Sequence, residues 1–130
     1  GLAGAVFILA MINTLADLTL TLRRFAADRD WEQFHSPKNL AMALSVEVAE
    51  LMEHFQWLTQ AQSKDLPPEK LPAVRDEVAD VLIYLVRLAD RLDIDLLAAA
   101  EEKIRRNAEK YPVPTARGRA DRPTPAEKLP

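Results

Sequence analysis

The sequence EVAE at residues 47–50 is followed by the related sequence EVAD at residues 77–80. Each segment carries two carboxylates three positions apart within an otherwise apolar stretch. Because an α-helix has 3.6 residues per turn, this spacing puts both acids of a pair on one helix face. The two segments therefore predict two helices whose acidic faces come together, and we interpret the rest of the chain around them.

The composition of the chain favours a single all-α domain. Its 130 residues are 48% hydrophobic and include only three glycines, while Ala, Leu, Glu and Arg are frequent. The formal net charge of −3 argues against a general binder of nucleic-acid backbone, which would carry a basic face. The chain has no cysteine, which excludes a disulfide, a thiol nucleophile and a cysteine-ligated zinc site. We take the cytoplasm as the default location.

Hydrophobic periodicity predicts four helices, over about residues 14–28, 37–57, 69–92 and 96–110. Such short helices, with acids along one side, leave apolar faces uncovered. We therefore expect a four-helix bundle that assembles as a dimer or tetramer.

Local signals mark where these helices begin. Ser36 followed by Pro37 indicates a capping side chain and a proline in the first turn, and Asp95 is a candidate cap for the last helix. The third helix is predicted to bury an apolar stripe. That stripe consists of Val74, Val78, Val81, Leu82, Leu85 and Leu88.

The two ends of the chain differ from its middle. Residues 1–12 are an apolar N-terminal extension or a remnant of cloning; the run is too short to span a membrane and lacks a preceding basic residue. Residues 13–114 form the predicted domain. Residues 115–130 are rich in proline, and we expect this tail to be mostly disordered.

The four acids of the repeated pattern, Glu47, Glu50, Glu77 and Asp80, lie at or beside the predicted buried stripes. Converging carboxylates repel and raise one another's pKa unless a cation neutralises them. Hard divalent cations prefer oxygen ligands, and Mg²⁺ is often shared with substrate phosphates. The pattern therefore predicts a Mg²⁺ site, which Mn²⁺ can also fill, that points toward a nucleotide phosphate. A solvated acidic face is the alternative for either pair alone, and the repetition beside core residues favours the metal site.

Other candidate ligands lack this setting. His54 follows Glu50 by four positions, whereas di-iron and di-manganese bundles use a Glu and a His three positions apart, so we assign His54 no metal. Four further acids are predicted to lie on the surface: Glu53, Asp76, Glu101 and Glu102.

The combined motifs resemble those of the MazG-like all-α nucleoside triphosphate pyrophosphohydrolases, and most nearly their dCTP pyrophosphatase branch. The resemblance covers about residues 15 to 114. It is carried by DWEQFHSPKNL at 30–40, EVAELMEHFQW at 47–57, DEVADVLIYLVRLA at 76–89 and KxxxNxxKYP at 103–112.

The resemblance implies Mg²⁺-dependent hydrolysis of a nucleoside triphosphate to the monophosphate and pyrophosphate, as in cleansing of the nucleotide pool. It makes Glu47, Glu50, Glu77 and Asp80 the metal ligands. Glu47 or Glu50 would also serve as the catalytic base, and the sequence does not separate the two roles.

The resemblance also implies residues that bind the phosphates. Lys103 and Asn107 lie four positions apart on one helix, with Lys110 and Tyr111 close behind, and supply a positive charge and a neutral donor. Tyr84 follows Asp80 by one helical turn and offers a hydroxyl to a phosphate or sugar.

Aromatic side chains near the motif helices are the candidates for binding the base: Trp31, Phe34, His35 and Trp57. Flat rings stack on a nucleobase, and an imidazole can donate or accept a hydrogen bond at its edge. In the similar dCTP pyrophosphatases these positions help form a cytosine pocket with residues from more than one subunit. We therefore expect dCTP, or a base-modified relative, as substrate, and neither a nucleic-acid polymer nor a membrane as partner.

Two alternatives stay open from the residues alone. One is a redox-active di-iron or di-manganese carboxylate bundle. The other is a non-catalytic helical interaction module whose acids solvate a dimer surface.

Overall fold

The computed structural model describes residues 12–121, and every regular element in this part of the chain is helical. The all-α prediction is therefore confirmed. Residues 1–11 of the predicted extension and residues 122–130 of the predicted tail lie outside the described part. The helices are α1 (Leu15–Asp28), α2 (Pro37–Glu53), α3 (Gln60–Ser63), α4 (Leu71–Arg91), α5 (Leu96–Lys110) and α6 (Val113–Ala116), with a 3₁₀ turn at Glu32–Phe34.

The chain divides into two compact units, one ending at Asp93 and the other beginning at Ile94. The first unit contains α1 to α4, and the second contains α5 and α6. Within the first unit α4 packs mainly along α2 and also contacts α1. The two acidic segments therefore lie on the helices that make the most extensive contact in this unit.

The predicted helix starts are confirmed at three places. The Thr14 hydroxyl accepts a hydrogen bond from the Asp17 amide at 3.0 Å, while the Asp17 carboxylate accepts one from the Thr14 amide, which forms a capping box for α1. Ser36 caps α2 through the amide of Asn39 at 3.1 Å. Asp95 caps α5 in the same way.

One helix end was wrongly predicted. Helix α2 ends at Glu53 rather than near Trp57, because the following amides bond three residues back: His54 to the Leu51 carbonyl and Phe55 to the Met52 carbonyl. Such bonds tighten the chain into a turn. Trp57 therefore lies in the connection after the helix.

Two short helices were not predicted. Helix α3 begins with a capping box formed by Thr59 and Gln62. Helix α6 lies in a proline-rich stretch for which no helix was predicted, and Pro114 occupies its first turn, where proline needs no amide partner. The predicted end of α5 near residue 110 is confirmed, since the helix ends at Lys110.

The predicted core stripe of α4 was partly wrong. Val74 is buried, but Val78 is 51% exposed and Leu82 is 42% exposed, and Leu85 is exposed as well. Glu77, Asp80, Val81 and Tyr84 are half-buried, and they share a face centred about a third of a turn away from the exposed apolar residues. Helix α4 therefore packs on its neighbours with the face that carries the acids.

The buried apolar core of the described residues is small, and Leu40 and Val86 are its largest fully buried side chains. It also includes Ala26 and Ala89. No described helix combines the length and the hydropathy that a membrane span requires.

Candidate active site

Three of the four predicted ligands form a compact cluster between α2 and α4. Glu47, Glu77 and Asp80 each contribute one carboxylate oxygen, and these three atoms lie within 4.8 Å of one another. All three residues are half-buried. The helical spacing that defined the two acidic pairs thus brings carboxylates of both helices to one place.

Two oxygens of this cluster are buried without a hydrogen-bond donor. They are the Oε2 atoms of Glu47 and Glu77, for which the described residues supply no partner. An unpaired buried carboxylate oxygen costs free energy, so such atoms call for a cation or a proton.

The acids perturb one another's ionisation. The pKa of Glu47 is raised from its ordinary value to about 7, first by the nearby Glu77 carboxylate, to which a protonated Glu47 can donate, then by burial and by the neighbouring Glu50 carboxylate. The hydrogen bond with Glu47 acts to lower the pKa of Glu77, but burial and the charges of Glu50 and Asp80 outweigh it and raise that pKa as well. The cluster therefore retains a proton to a higher pH than separate glutamates would.

This chemistry fits a hard divalent cation. The donors are carboxylate oxygens, two of them orphaned, and the helices fix them close together. A cation would satisfy the orphaned oxygens and remove the repulsion that raises their pKa values. Glu47, Glu77 and Asp80 are therefore the residues that would hold it.

Glu50 is the fourth predicted ligand, and its carboxylate is not part of the compact cluster. It is half-buried on α2 and close enough to act on the pKa values of both Glu47 and Glu77. Its assignment as ligand or base stays a prediction.

The predicted base-binding residues are only partly brought together. The Trp31 ring lies edge-on to Phe25 at 5.7 Å and to His35 at 6.3 Å between ring centroids. Phe34 is adjacent in the 3₁₀ turn and exposed. Trp57 is 87% exposed, so its ring contributes little to the packing of this chain.

The predicted phosphate-binding residues belong to both units. Tyr84 is half-buried on α4, one turn beyond Asp80 as expected. Lys103 and Asn107 are exposed on α5 in the second unit, and the Lys110 ammonium lies 5.4 Å from the centre of the Tyr111 ring. The phosphate-binding role of these residues stays a prediction.

The remaining candidates agree with the sequence interpretation. His54 is half-buried, and the acids Glu53, Asp76, Glu101 and Glu102 are exposed. The last two pair with Arg105 and Arg106 one turn further along α5.

Two arginines that were not among the predicted site residues contact His35. Arg87 donates from Nε to His35 Nδ1 at 3.2 Å, and Arg91 donates from Nε to the His35 carbonyl at 3.1 Å. The signal was present in the sequence, because Arg87 interrupts the apolar run LIYLVRLA at 82–89. A charged residue in such a run requires a buried partner.

Known proteins share both the sequence pattern and the fold. The model of the MazG-like family matches residues 42–122. The chain is 48% identical to dCTP pyrophosphatase 1 of Mus musculus over 109 residues, which are 82% of this chain. It is 46% identical to dCTP pyrophosphatase 1 of Homo sapiens over 106 residues, which are 80% of this chain. The crystal structure of a pyrophosphatase from Archaeoglobus fulgidus superposes with a TM-score of 0.67 at 42% identity, covering 70% of this chain and 85% of that one.

The match to the curated relatives is extensive but does not include their whole length. The aligned region covers 64% of the mouse protein and 62% of the human protein. The resemblance found in the motifs is confirmed, including the likeness to the dCTP pyrophosphatase branch. The chain belongs to the MazG-like family of proteins.

Proposed function

We propose that this protein hydrolyses a nucleoside triphosphate to the monophosphate and pyrophosphate with the help of Mg²⁺. The observation that carries the proposal is the cluster of Glu47, Glu77 and Asp80, with its two orphaned buried oxygens between α2 and α4. The similarity of the chain to dCTP pyrophosphatases and to a pyrophosphatase of known structure supports the proposal.

The chain's own residues supply the remaining parts of the reaction. A bound Mg²⁺ would stabilise charge on the phosphate oxygens and lower the pKa of water near the α-phosphorus. Glu47 or Glu50 accepts the proton of the attacking water, and Glu77 and Asp80 would remain as ligands of the cation. Attack at the α-phosphorus expels pyrophosphate in line and leaves the nucleoside monophosphate.

The phosphates and the base are bound by residues outside the carboxylate cluster. Tyr84 of the first unit offers its hydroxyl to the triphosphate, and Lys103, Asn107 and Lys110 stay the phosphate ligands that the family resemblance implies, because they supply charge and donors. The base stacks among the exposed aromatic rings of Trp31, Phe34 and Trp57, with His35 at its edge. On this basis dCTP or a base-modified dCTP is the proposed substrate.

A second copy of the chain would complete the pocket. Exposed apolar side chains line α2 and α4 beside the acidic faces, including Val48, Met52, Val78 and Leu82. Such a surface favours helix-on-helix association, so we propose a dimer or tetramer. The cytoplasmic location and the role in cleansing the nucleotide pool stay predictions.

A substrate panel tests the proposal directly. Purified protein is incubated with each dNTP and with 5-methyl-dCTP, in Mg²⁺ or in EDTA, and pyrophosphate and orthophosphate are measured separately. We expect Mg²⁺-dependent pyrophosphate release, fastest with a cytosine nucleotide. Release of orthophosphate alone, or of neither product, would overturn the proposal, and iron-dependent O₂ consumption would favour a redox bundle instead.

The panel needs matched variants. Asp80→Asn removes a proposed ligand charge at nearly constant volume and should abolish turnover. Asp76→Asn makes the same chemical change at an exposed position on the same helix and should leave turnover unchanged. Equal activity in both variants would refute the ligand assignment.

A further inference from the structure

Arg87 is a buried arginine on α4 that the proposed reaction does not use. The residue is only 4% exposed and lies between Val86 and Leu88 in an apolar run. Charged residues are seldom buried in this way unless their side chains are paired. Its contacts therefore call for a functional explanation.

The guanidinium of Arg87 bridges two groups of the first unit. Its Nε donates to His35 Nδ1 at 3.2 Å, and its Nη1 donates to Asp90 Oδ2 at 3.3 Å. Asp90 also accepts a hydrogen bond from Arg23 Nε at 2.7 Å. The carboxylate thus anchors Arg87 from one side while Arg87 contacts the imidazole on the other.

This contact fixes the protonation of His35. A guanidinium is always protonated and has only donors, so the Nδ1 atom that faces it must present a lone pair. A neutral imidazole carries its single proton on the other nitrogen, which is Nε2. An imidazolium would place two N–H donors against each other and lose the hydrogen bond.

The surroundings of the ring favour the same neutral form. Burial lowers the pKa of His35 below its ordinary value, and the positive charges of Arg87 and Arg91 on α4 lower it further. Glu32 in the 3₁₀ turn acts in the opposite direction but is outweighed.

The contacts of Arg87 are not explained by the stability of the fold alone. Arg87 Nη2 is buried and has no partner among the described residues. An incompletely paired buried guanidinium costs free energy that an apolar residue at this position would avoid. A role in orienting His35 accounts for keeping an arginine at this place.

We propose that Arg87 is a positioning residue that holds His35 as the neutral Nε2–H tautomer, so that His35 donates a hydrogen bond to an acceptor on the substrate base. Acceptors of this kind are a ring carbonyl or an unprotonated ring nitrogen, both of which cytosine carries beside its amino group. The base as ligand of His35 rests on the proposed function. The tautomer rests only on the contacts of Arg87.

The tautomer is tested by ¹⁵N NMR of histidine-labelled protein between pH 6.5 and 8. The chain has only two histidines, so His54→Gln identifies the signals of His35. We expect a protonated Nε2 and an unprotonated Nδ1. An Nδ1–H tautomer or an imidazolium in this pH range would overturn the proposal, whether or not the protein hydrolyses any nucleotide.

Variants connect the tautomer to substrate binding. Arg87→Met keeps the length of the side chain without its donors, and should produce mixed tautomers and a higher KM for dCTP, by about five- to tenfold, with little change in kcat. Arg87→Lys retains a donor and should restore part of both effects. Arg24→Met makes the same change at an exposed arginine and should alter neither.

Each outcome separates the inference from the proposed function. An unchanged tautomer in folded Arg87→Met, or a shifted tautomer with an unchanged KM, would overturn the positioning role. If Arg87→Met does not fold, the wild-type spectrum and Arg87→Lys decide the question. Absence of turnover in the wild type would refute the proposed function, while the NMR result would still decide the tautomer.

Discussion

Lowering the pH from 8 to 6 should weaken binding of a divalent cation by this protein about tenfold. The reason is Glu47, whose pKa in the metal-free cluster is about 7. A cation binds the carboxylate and not the acid, so it must displace the proton. With a pKa near 7, the ionised fraction is roughly 9% at pH 6 and roughly 91% at pH 8, which gives the tenfold factor. The raised pKa of Glu77 makes the dependence steeper.

The measurement is a titration with Mn²⁺, which fills sites built for Mg²⁺ and whose free ion is counted by EPR. The dissociation constant is determined at pH 6, 7 and 8 without nucleotide. Glu47→Gln should bind more weakly and lose most of the pH dependence, while the exposed Asp76→Asn should behave as the wild type. A dissociation constant that stays the same from pH 6 to 8 would show that cation binding does not displace a proton from Glu47.

Three further predictions concern stability. In EDTA, the melting temperature of the wild type should fall relative to that of Glu47→Gln as the pH rises from 5 to 8, because folding raises the pKa of Glu47 and favours its protonated form; Mg²⁺ should restore the loss. A difference between the two proteins that does not change with pH would contradict this. Leu40→Ala should lower the free energy of unfolding, measured by chemical denaturation, by about 2 to 5 kcal/mol, because Leu40 is only 2% exposed. Lys38→Ala, at an exposed position of the same helix, should change this free energy little. Asp90→Ala should cost roughly 3 kcal/mol because it leaves Arg87 buried without its carboxylate, and a loss below about 1 kcal/mol would show that the pair is not needed for stability.

Several features of both units could be predicted from local pattern. The caps at Ser36 and Asp95 follow from short-range chemistry, and the three-residue spacing of the acids determines which side chains share a helix face. The repeated pattern predicted one site of four acids, and three of them, Glu47, Glu77 and Asp80, form the compact cluster. Their convergence depends on the packing of α2 against α4, which the spacing within each helix does not determine.

The packing of α4 was not accessible in the same way. Apolar periodicity identifies the most hydrophobic face of a helix, and this face was predicted to be buried within the chain. The structure packs the acid-bearing face instead and leaves Val78 and Leu82 exposed. A single sequence does not distinguish a face that packs within the chain from one available to a second copy.

The sequence pattern also did not predict contacts between residues that are far apart in the chain. His35 and Arg87 are 52 positions apart, and only the folded first unit brings the guanidinium to Nδ1. The sequence indicated each residue separately, one in an aromatic segment and the other in an apolar run. Their pairing depends on how the 3₁₀ turn lies against α4.

The most direct test of the account is to hydrolyse dCTP in H₂¹⁸O with Mg²⁺ and to analyse both products by mass spectrometry. Attack at the α-phosphorus predicts one ¹⁸O in dCMP and none in pyrophosphate, with no product from Asp80→Asn. Label in pyrophosphate or orthophosphate, or undiminished turnover by Asp80→Asn, would contradict the assignment of this cluster as the centre of a nucleoside triphosphate pyrophosphohydrolase.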